Sequence, residues 1–205
     1  MPAILNGKSL FGGALNGKPL KAIYVGDASL HESVTDTDFA AISTVATAFN
    51  TSSVSGNFTA TAGHDVFVIA SCDRSGVPTS ATYNGAAMTL LKAQGVNNGA
   101  SIGGLAIFHA PGAGTGTSKA FAVTCPSGML TAYAVSMSNT LGVGEITVAY
   151  GSGTSLSHSV VSRPRAKTLQ GFTTAANGGG NNTLSSLSGG TNRGSGGGGG
   201  PYPPL

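Results

Sequence analysis

Tryptophan is absent from this chain, and charge is scarce: ten Lys and Arg and seven Asp and Glu make up 8% of 205 residues, where a soluble protein carries about a quarter. Each shortage excludes something. Four of the seven acids, Asp27, Glu32, Asp36 and Asp38, fall in one short stretch, which leaves Asp65, Asp73 and Glu145 for the body of the chain. That is poor support for the facing carboxylates of a glycosidase. The net charge of +3 is dispersed, so the clustered basic face of a nucleic-acid binder is not expected. The densest basic run, RPRAK at Arg163–Lys167, reads as a solvated turn. His31, His64, His109 and His158 are scattered, and the two cysteines stand 53 positions apart, so no metal-ligand spacing is present and no cofactor is expected. No apolar run approaches the ~20 residues of a membrane helix, so membrane insertion is not expected. The opening MPAILNGKSLFGG lacks the charged and apolar regions of a signal peptide, and synthesis and folding in a cytoplasm are expected. In that setting Cys72 and Cys125 are expected as two reduced core thiols, and the sequons at Asn50, Asn57 and Asn181 carry no meaning.

Catalytic motifs are equally thin. His64-Asp65 are adjacent, and neighbours on a strand point to opposite faces, which a base and its orienting acid cannot do. GAGTGTSK at Gly112–Lys119 resembles a phosphate loop only superficially: Thr117 and Ser118 stand where Gly and Lys are needed, and the segment leads into a strand. It is expected to be a hairpin loop. No Gly-x-Ser-x-Gly elbow occurs. Sugar platforms usually need exposed Trp or Tyr; here Tyr24, Tyr83, Tyr133 and Tyr150 lie in strand-like runs and are expected to pack.

What the chain does have is turn chemistry and alternation. Leu-Asn-Gly-Lys-x-Leu occurs twice, at Leu5–Leu10 and Leu15–Leu20, and Tyr83–Met88 (YNGAAM) is a looser third copy. Asn-Gly tolerates the two positive φ angles of a type I′ hairpin turn, so Asn6-Gly7, Asn16-Gly17 and Asn84-Gly85 are read as turns between short strands. Residues 1–33 are too small to hold a core and read as a β-hairpin arm whose apolar residues, Leu5, Leu10, Leu15, Leu20, Ile23 and Tyr24, need burial against a partner. Residues 34–176 are a succession of short β-patterned runs every 8–14 residues, extending through ITVAYGSG, SHSVVSR and TLQGFTTAA. The apolar sets Phe58-Ala60-Ala62, Phe121-Val123-Cys125 and Tyr133-Val135-Met137 each alternate on one face. Val66, Val68, Leu105, Ile107, Val123 and Val135 are expected in the interior or on sheet-packing faces. Residues 177–205 are a Gly/Ser-rich tail ending in PYPPL, with too little apolar surface to offset ordering. The fold class that follows is all-β, a jelly-roll-like antiparallel β-sandwich with an N-terminal β-hairpin arm and a Gly-rich C-terminal tail.

One stretch of this body, VPTSATYNGAAMTLLKAQGVNNGASIGGLAIFHAPGAGTGTSKAFAVT at Val77–Thr124, resembles a segment recurrent in virion proteins of tailed phages, especially those of actinobacteria. The opening LNGKPLKAIYVGD is similar to the N-terminal segments of phage minor tail proteins. The resemblance covers roughly residues 5–27 and 58–140. It implies a non-enzymatic virion component, most naturally a minor tail (tail-tip) protein, with a capsid decoration protein as the near alternative and a carbohydrate-binding host-adhesion module as the next. It implies other virion subunits as partners, a homo-oligomer, and for the adhesion alternative a host-surface glycan. No catalytic residues come with it. Relatives tend to close the sandwich with a further strand pair after the glycine-rich loop, where this sequence runs to PYPPL.

Overall fold

The computed structural model describes residues 3–5, 8–10, 14–15, 18–19, 36–73, 76–98, 103–126, 128–150, 157–161 and 163–173. Fourteen strands are present among them, all paired antiparallel, with one 3₁₀ turn at Val96–Asn98. The first four form two separate hairpins: β1 (Ala3–Leu5) with β2 (Lys8–Leu10), and β3 (Ala14–Leu15) with β4 (Lys18–Pro19). The other ten are β5 (Asp38–Ile42), β6 (Ala46–Ala48), β7 (Ser53–Thr59), β8 (Asp65–Asp73), β9 (Ser80–Tyr83), β10 (Ala86–Ala87), β11 (Thr89–Gly95), β12 (Gly103–Ala110), β13 (Ser118–Thr124) and β14 (Leu130–Ser138). They build a four-stranded sheet ordered β10-β9-β13-β7 and a six-stranded sheet ordered β11-β12-β8-β14-β5, with β6 following β5 along β14.

The core lies between the two sheets and follows the period-2 rule of strands. Val54 and Phe58 of β7, Ala81 and Tyr83 of β9, and Phe121 and Val123 of β13 point inward from the four-stranded sheet. Val66, Val68, Ala70 and Cys72 of β8, Ala106 and Phe108 of β12, and Leu130, Ala132 and Ala134 of β14 meet them from the six-stranded sheet. The chain changes sheets at buried Met88, between β10 and β11. The Asn84-Gly85 turn joins β9 to β10 with φ of 52° and 77°, and Tyr83 pairs directly with Ala86, as the I′ reading requires.

The second face of the six-stranded sheet is also apolar. Phe67 and Ile69 of β8, Leu105 and Ile107 of β12, and Tyr133, Val135 and Met137 of β14 all point away from the sandwich interior, alternating with the residues that face it. Leu105 and Ile107 are half-buried there, so the interior positions of β12 belong to Ala106 and Phe108 instead. Yet Phe67, Val135 and Met137 are buried. The chain beyond β14 returns across this face. Gly171 sits so close that a Cβ on it would lie 2.8 Å from Ile69 and 3.0 Å from Leu105. The Arg165 carbonyl accepts the Thr37 amide at 3.1 Å, and Arg165 and Lys167 reach Asp36 and Asp38 at 3.7 Å. The exposure of these ion pairs makes them weak, so burial under the segment carries the attachment.

This covering layer differs from the sequence expectation. ITVAYGSG, SHSVVSR and TLQGFTTAA read as strands, but their described residues contain none. Ile146, Val148 and Tyr150 alternate as a strand would, and they point outward, while Thr147 and Ala149 are partly buried and Thr147 hydrogen-bonds His158 at 2.8 Å. Alternation sets which side chains share a face; it supplies no ladder partner.

The phase of β12 has a direct test. Phe108→Ala should cost about 3–5 kcal/mol, the usual toll of an aromatic cavity. Ile107→Ala, on the half-buried outer face, should cost about 1–2 kcal/mol. Urea unfolding of both variants checks this, and a larger loss at Ile107 than at Phe108 would reverse the assignment of faces.

Candidate functional site

Two places in the described structure concentrate features beyond packing: a buried polar centre at one end of the six-stranded sheet and the exposed strip β5–β6 along its edge.

The polar centre is built by register. His109 pairs with Phe67 across β12 and β8, which sets Asp65, two residues before Phe67, diagonally beside His109 on the same outer face. His109 Nε2 lies 2.9 Å from Asp65 Oδ2. The Gly112 amide donates to Asp65 Oδ1 at 2.8 Å, and the buried Thr140 side chain also favours the charged carboxylate. Phe67 lies flat on the imidazole, with ring centroids 4.4 Å apart. Burial alone would raise the carboxyl pKa. The bonds from His109 and Gly112 and the Thr140 side chain, with the charge of His109 when protonated, outweigh it and hold Asp65 below the usual carboxylate range. The Asp65 and His109 side chains are only 3% and 9% exposed, and one face of the ring is covered by Phe67, so no substrate-sized approach opens onto the pair. What it does is brace the fold: it ties the start of β8, the end of β12, the β12–β13 loop and the exit of β14 into one knot. The GAGTGTSK loop is not the hairpin expected: it carries the chain from β12 in the six-stranded sheet to β13 in the four-stranded sheet, two strands that do not pair, and it is held by Gly114 N–H to the His64 carbonyl and Gly116 N–H to the Ala60 carbonyl.

Sequence reasoning missed this pair because it looked at His64-Asp65. The acid's partner comes from a strand 44 positions away, and only the pairing register of β8 with β12 discloses it. Among the described residues, no group of three His, Cys, Asp or Glu could hold a metal ion.

The edge strip has the opposite character. β5 pairs with β14 through Ile42–Val135, Ala41–Ser136, Phe39–Met137 and Asp38–Ser138, and β6 continues along the same strand through Ala46–Ala132 to Ala48–Leu130. Ser43 stitches the gap: its amide donates to the Ala134 carbonyl at 2.8 Å, and its hydroxyl accepts from the Ala134 amide at 3.0 Å. The strip therefore runs along the whole of β14 and ends the sheet. Its outer positions are apolar: Ile42, Val45 and Phe49 are 37%, 41% and 55% exposed. Phe39, Ala40, Ala41, Ile42 and Val135 line an apolar recess of about 190 Å³ beside it. That is below the ~300 Å³ of ordinary small-molecule pockets and offers no titratable group. An apolar row beside an open ladder edge is suited to a protein segment.

The residues assigned to the arm fall differently. Leu5, Leu10 and Leu15 lie in β1, β2 and β3, with Leu5 opposite Lys8 and Leu15 opposite Lys18. Leu20, Ile23 and Tyr24, and the turn residues Asn6, Gly7, Asn16 and Gly17, lie outside the described residues. Of the tyrosines, Tyr83 is buried and donates its hydroxyl to the Phe58 carbonyl, Tyr133 is half-buried, and Tyr150 is exposed rather than packed.

Because Asp65 titrates low in the fold, its contribution is present above the unfolded carboxyl value near ~3.9 and is lost as pH falls through the folded one. Thermal melts from pH 7 to pH 2 should show wild-type stability dropping in the window below about pH 4, and Asp65→Asn should flatten that drop while costing about 1–3 kcal/mol at neutral pH. An unchanged acid limb in Asp65→Asn would remove the brace from the account.

No family model, no curated protein and no solved structure matches this chain.

Proposed function

We propose that this protein is a non-enzymatic structural component of a tailed-phage virion, a minor tail (tail-tip) protein. In this reading residues 34–176 form a jelly-roll-like sandwich, residues 1–33 an assembly arm and residues 177–205 a Gly/Ser-rich joint, each binding neighbouring virion subunits or further copies of the chain. The observation that carries the proposal is the β5–β6 strip. A free protein guards its sheet edges with charge, proline or a covering loop. Here the edge presents Ile42, Val45 and Phe49 beside an apolar recess. Covered by a neighbour's strand, the same feature becomes a joint. The scarcity of surface charge and the similarity of Val77–Thr124 and the opening hairpin segment to virion proteins support the same reading. Capsid decoration uses the same physics at another position. Exposed Tyr150 and Phe172 favour one further reading, a glycan-binding adhesion module, because aromatic faces stack on sugars.

The test separates stability from assembly. Ile42→Lys should leave the melting temperature of the isolated protein nearly unchanged, within about 0.5 kcal/mol for a surface position, and removal of residues 1–26 should do the same. Both should lower incorporation into particles, measured by quantitative mass spectrometry of purified virions. Normal incorporation of both variants would overturn the assembly reading, and a strong glycan-array signal from the isolated protein would move it to the adhesion alternative.

A further inference from the structure

The core holds a feature that neither packing nor assembly uses. Cys72, near the end of β8, belongs to the six-stranded sheet; Cys125, directly after β13, follows the four-stranded sheet. Both point into the same core cluster, both are buried, and both are free thiols. The Cys125 side chain, beside burial, acts on the Cys72 thiol. The surrounding backbone brings the two segments near each other. The Asp73 amide donates to the Met129 carbonyl at 3.1 Å, and Asp73 Oδ1 accepts the Met129 amide at 2.9 Å. The Thr79 amide donates to the Thr124 carbonyl and the Cys125 amide to the Ser52 carbonyl, each at 2.9 Å. The Asp73–Met129 pair thus joins the chain just after Cys72 to the segment four residues beyond Cys125, and Cys125 itself is tied to Ser52. The Cys72 thiol also donates to the Gly76 carbonyl at 3.2 Å, within the connection that leads to β9.

From this placement we infer that Cys72 and Cys125 are a dithiol site for oxidation by a small disulfide such as glutathione disulfide, yielding one cross-sheet disulfide that locks the sandwich. The chemistry balances as thiol–disulfide exchange. One cysteine thiolate attacks a sulfur of glutathione disulfide, and one glutathione leaves as a thiolate that takes up a proton. The second cysteine, having lost its proton, attacks the protein sulfur of the mixed disulfide and expels the second glutathione. Two protein thiols are oxidised to one disulfide, and one glutathione disulfide is reduced to two glutathiones.

The structure also sets the rate. Burial, reinforced by Cys125, pushes the Cys72 thiol well above its ordinary range, so little thiolate exists in the closed fold. Glutathione disulfide cannot reach either sulfur without an opening of the sheets. The site is therefore inert while the protein stays folded in reducing conditions and reacts when the chain folds, or breathes, in an oxidising medium. The bond would close a loop of 53 positions, a span long enough for a sizeable constraint on the unfolded chain. The inference is independent of the assembly reading.

The experiment uses the full chain, refolded from urea in a glutathione/glutathione disulfide buffer and, in parallel, in reduced glutathione alone. Alkylation after denaturation and peptide mapping count the thiols. The expected result is two alkylated cysteines in the reduced sample, none in the oxidised one, a single linked peptide pair containing Cys72 and Cys125, and a melting temperature raised by roughly 5–15 °C that dithiothreitol reverses. Native protein given the same oxidant should react many-fold more slowly than protein held at sub-denaturing urea. Two free thiols after oxidative refolding, glutathione retained on either cysteine, disulfides only between chains, or a linked form that melts lower would each overturn the inference. Cys125→Ser should form no intramolecular bond; the wild-type comparison stands without it should that variant fold poorly.

Discussion

The structure depends on β8. Eight of its nine positions from Asp65 to Cys72 are apolar, small or engaged in the polar centre, and the strand sits third in a six-stranded sheet with β12 and β14 on either side. Its inner face, Val66 to Cys72, is covered by the four-stranded sheet. Its outer face, Phe67 and Ile69, needs a second cover, which the four-stranded sheet on the other side cannot give. The return of residues 163–173 across that face, with Gly171 against Ile69 and Leu105, meets this requirement with irregular chain. Glycine at that position allows the backbone itself to lie on the sheet. The Asp65–His109 brace then falls at the point where β8, β12, the β12–β13 loop and the exit of β14 converge, so this polar pair stands at the end of the covered face rather than in its middle.

Local patterns were legible, and non-local ones were not. Phe121, Val123 and Cys125 share the core face that their alternation assigns, and Asn84-Gly85 makes the turn that its chemistry demands. Tyr133, Val135 and Met137 do share one face, but it is the outer one; the core face of β14 belongs to Leu130 and a row of small residues. Period 2 sorts side chains into two sets and does not say which set meets the opposing sheet when both are apolar. The same limit explains Ile146, Val148 and Tyr150, which alternate without a ladder. It explains Asp65 and His109 as well, since two strands distant in sequence must be aligned before their side chains can be matched.

The scarcity of charge acquires a physical sense from these surfaces. A chain whose edge strip shows Ile42, Val45 and Phe49, and whose covering segment shows Ile146, Val148 and Tyr150, has apolar surface at two separate places. Neighbours that bury such surface gain roughly 25 cal/mol for each Å² removed from water, with few charges to desolvate in exchange. That combination favours a protein held among others, with its own core closed by the two sheets and the covering segment.

The central claim is that the chain after β14 is the second wall of the core. Two chains test it most directly: one ending at Thr173, which keeps the covering segment, and one ending at Thr140, which removes it while leaving every strand of both sheets. Thermal unfolding is followed together with the fluorescence of anilinonaphthalene sulfonate, a dye that lights up on exposed apolar surface. The account predicts that the longer chain melts like the full protein and stays dark, whereas the shorter one loses roughly 3 kcal/mol or more and binds dye strongly at 25 °C. Coincident melting curves and equal darkness in the two chains would contradict it.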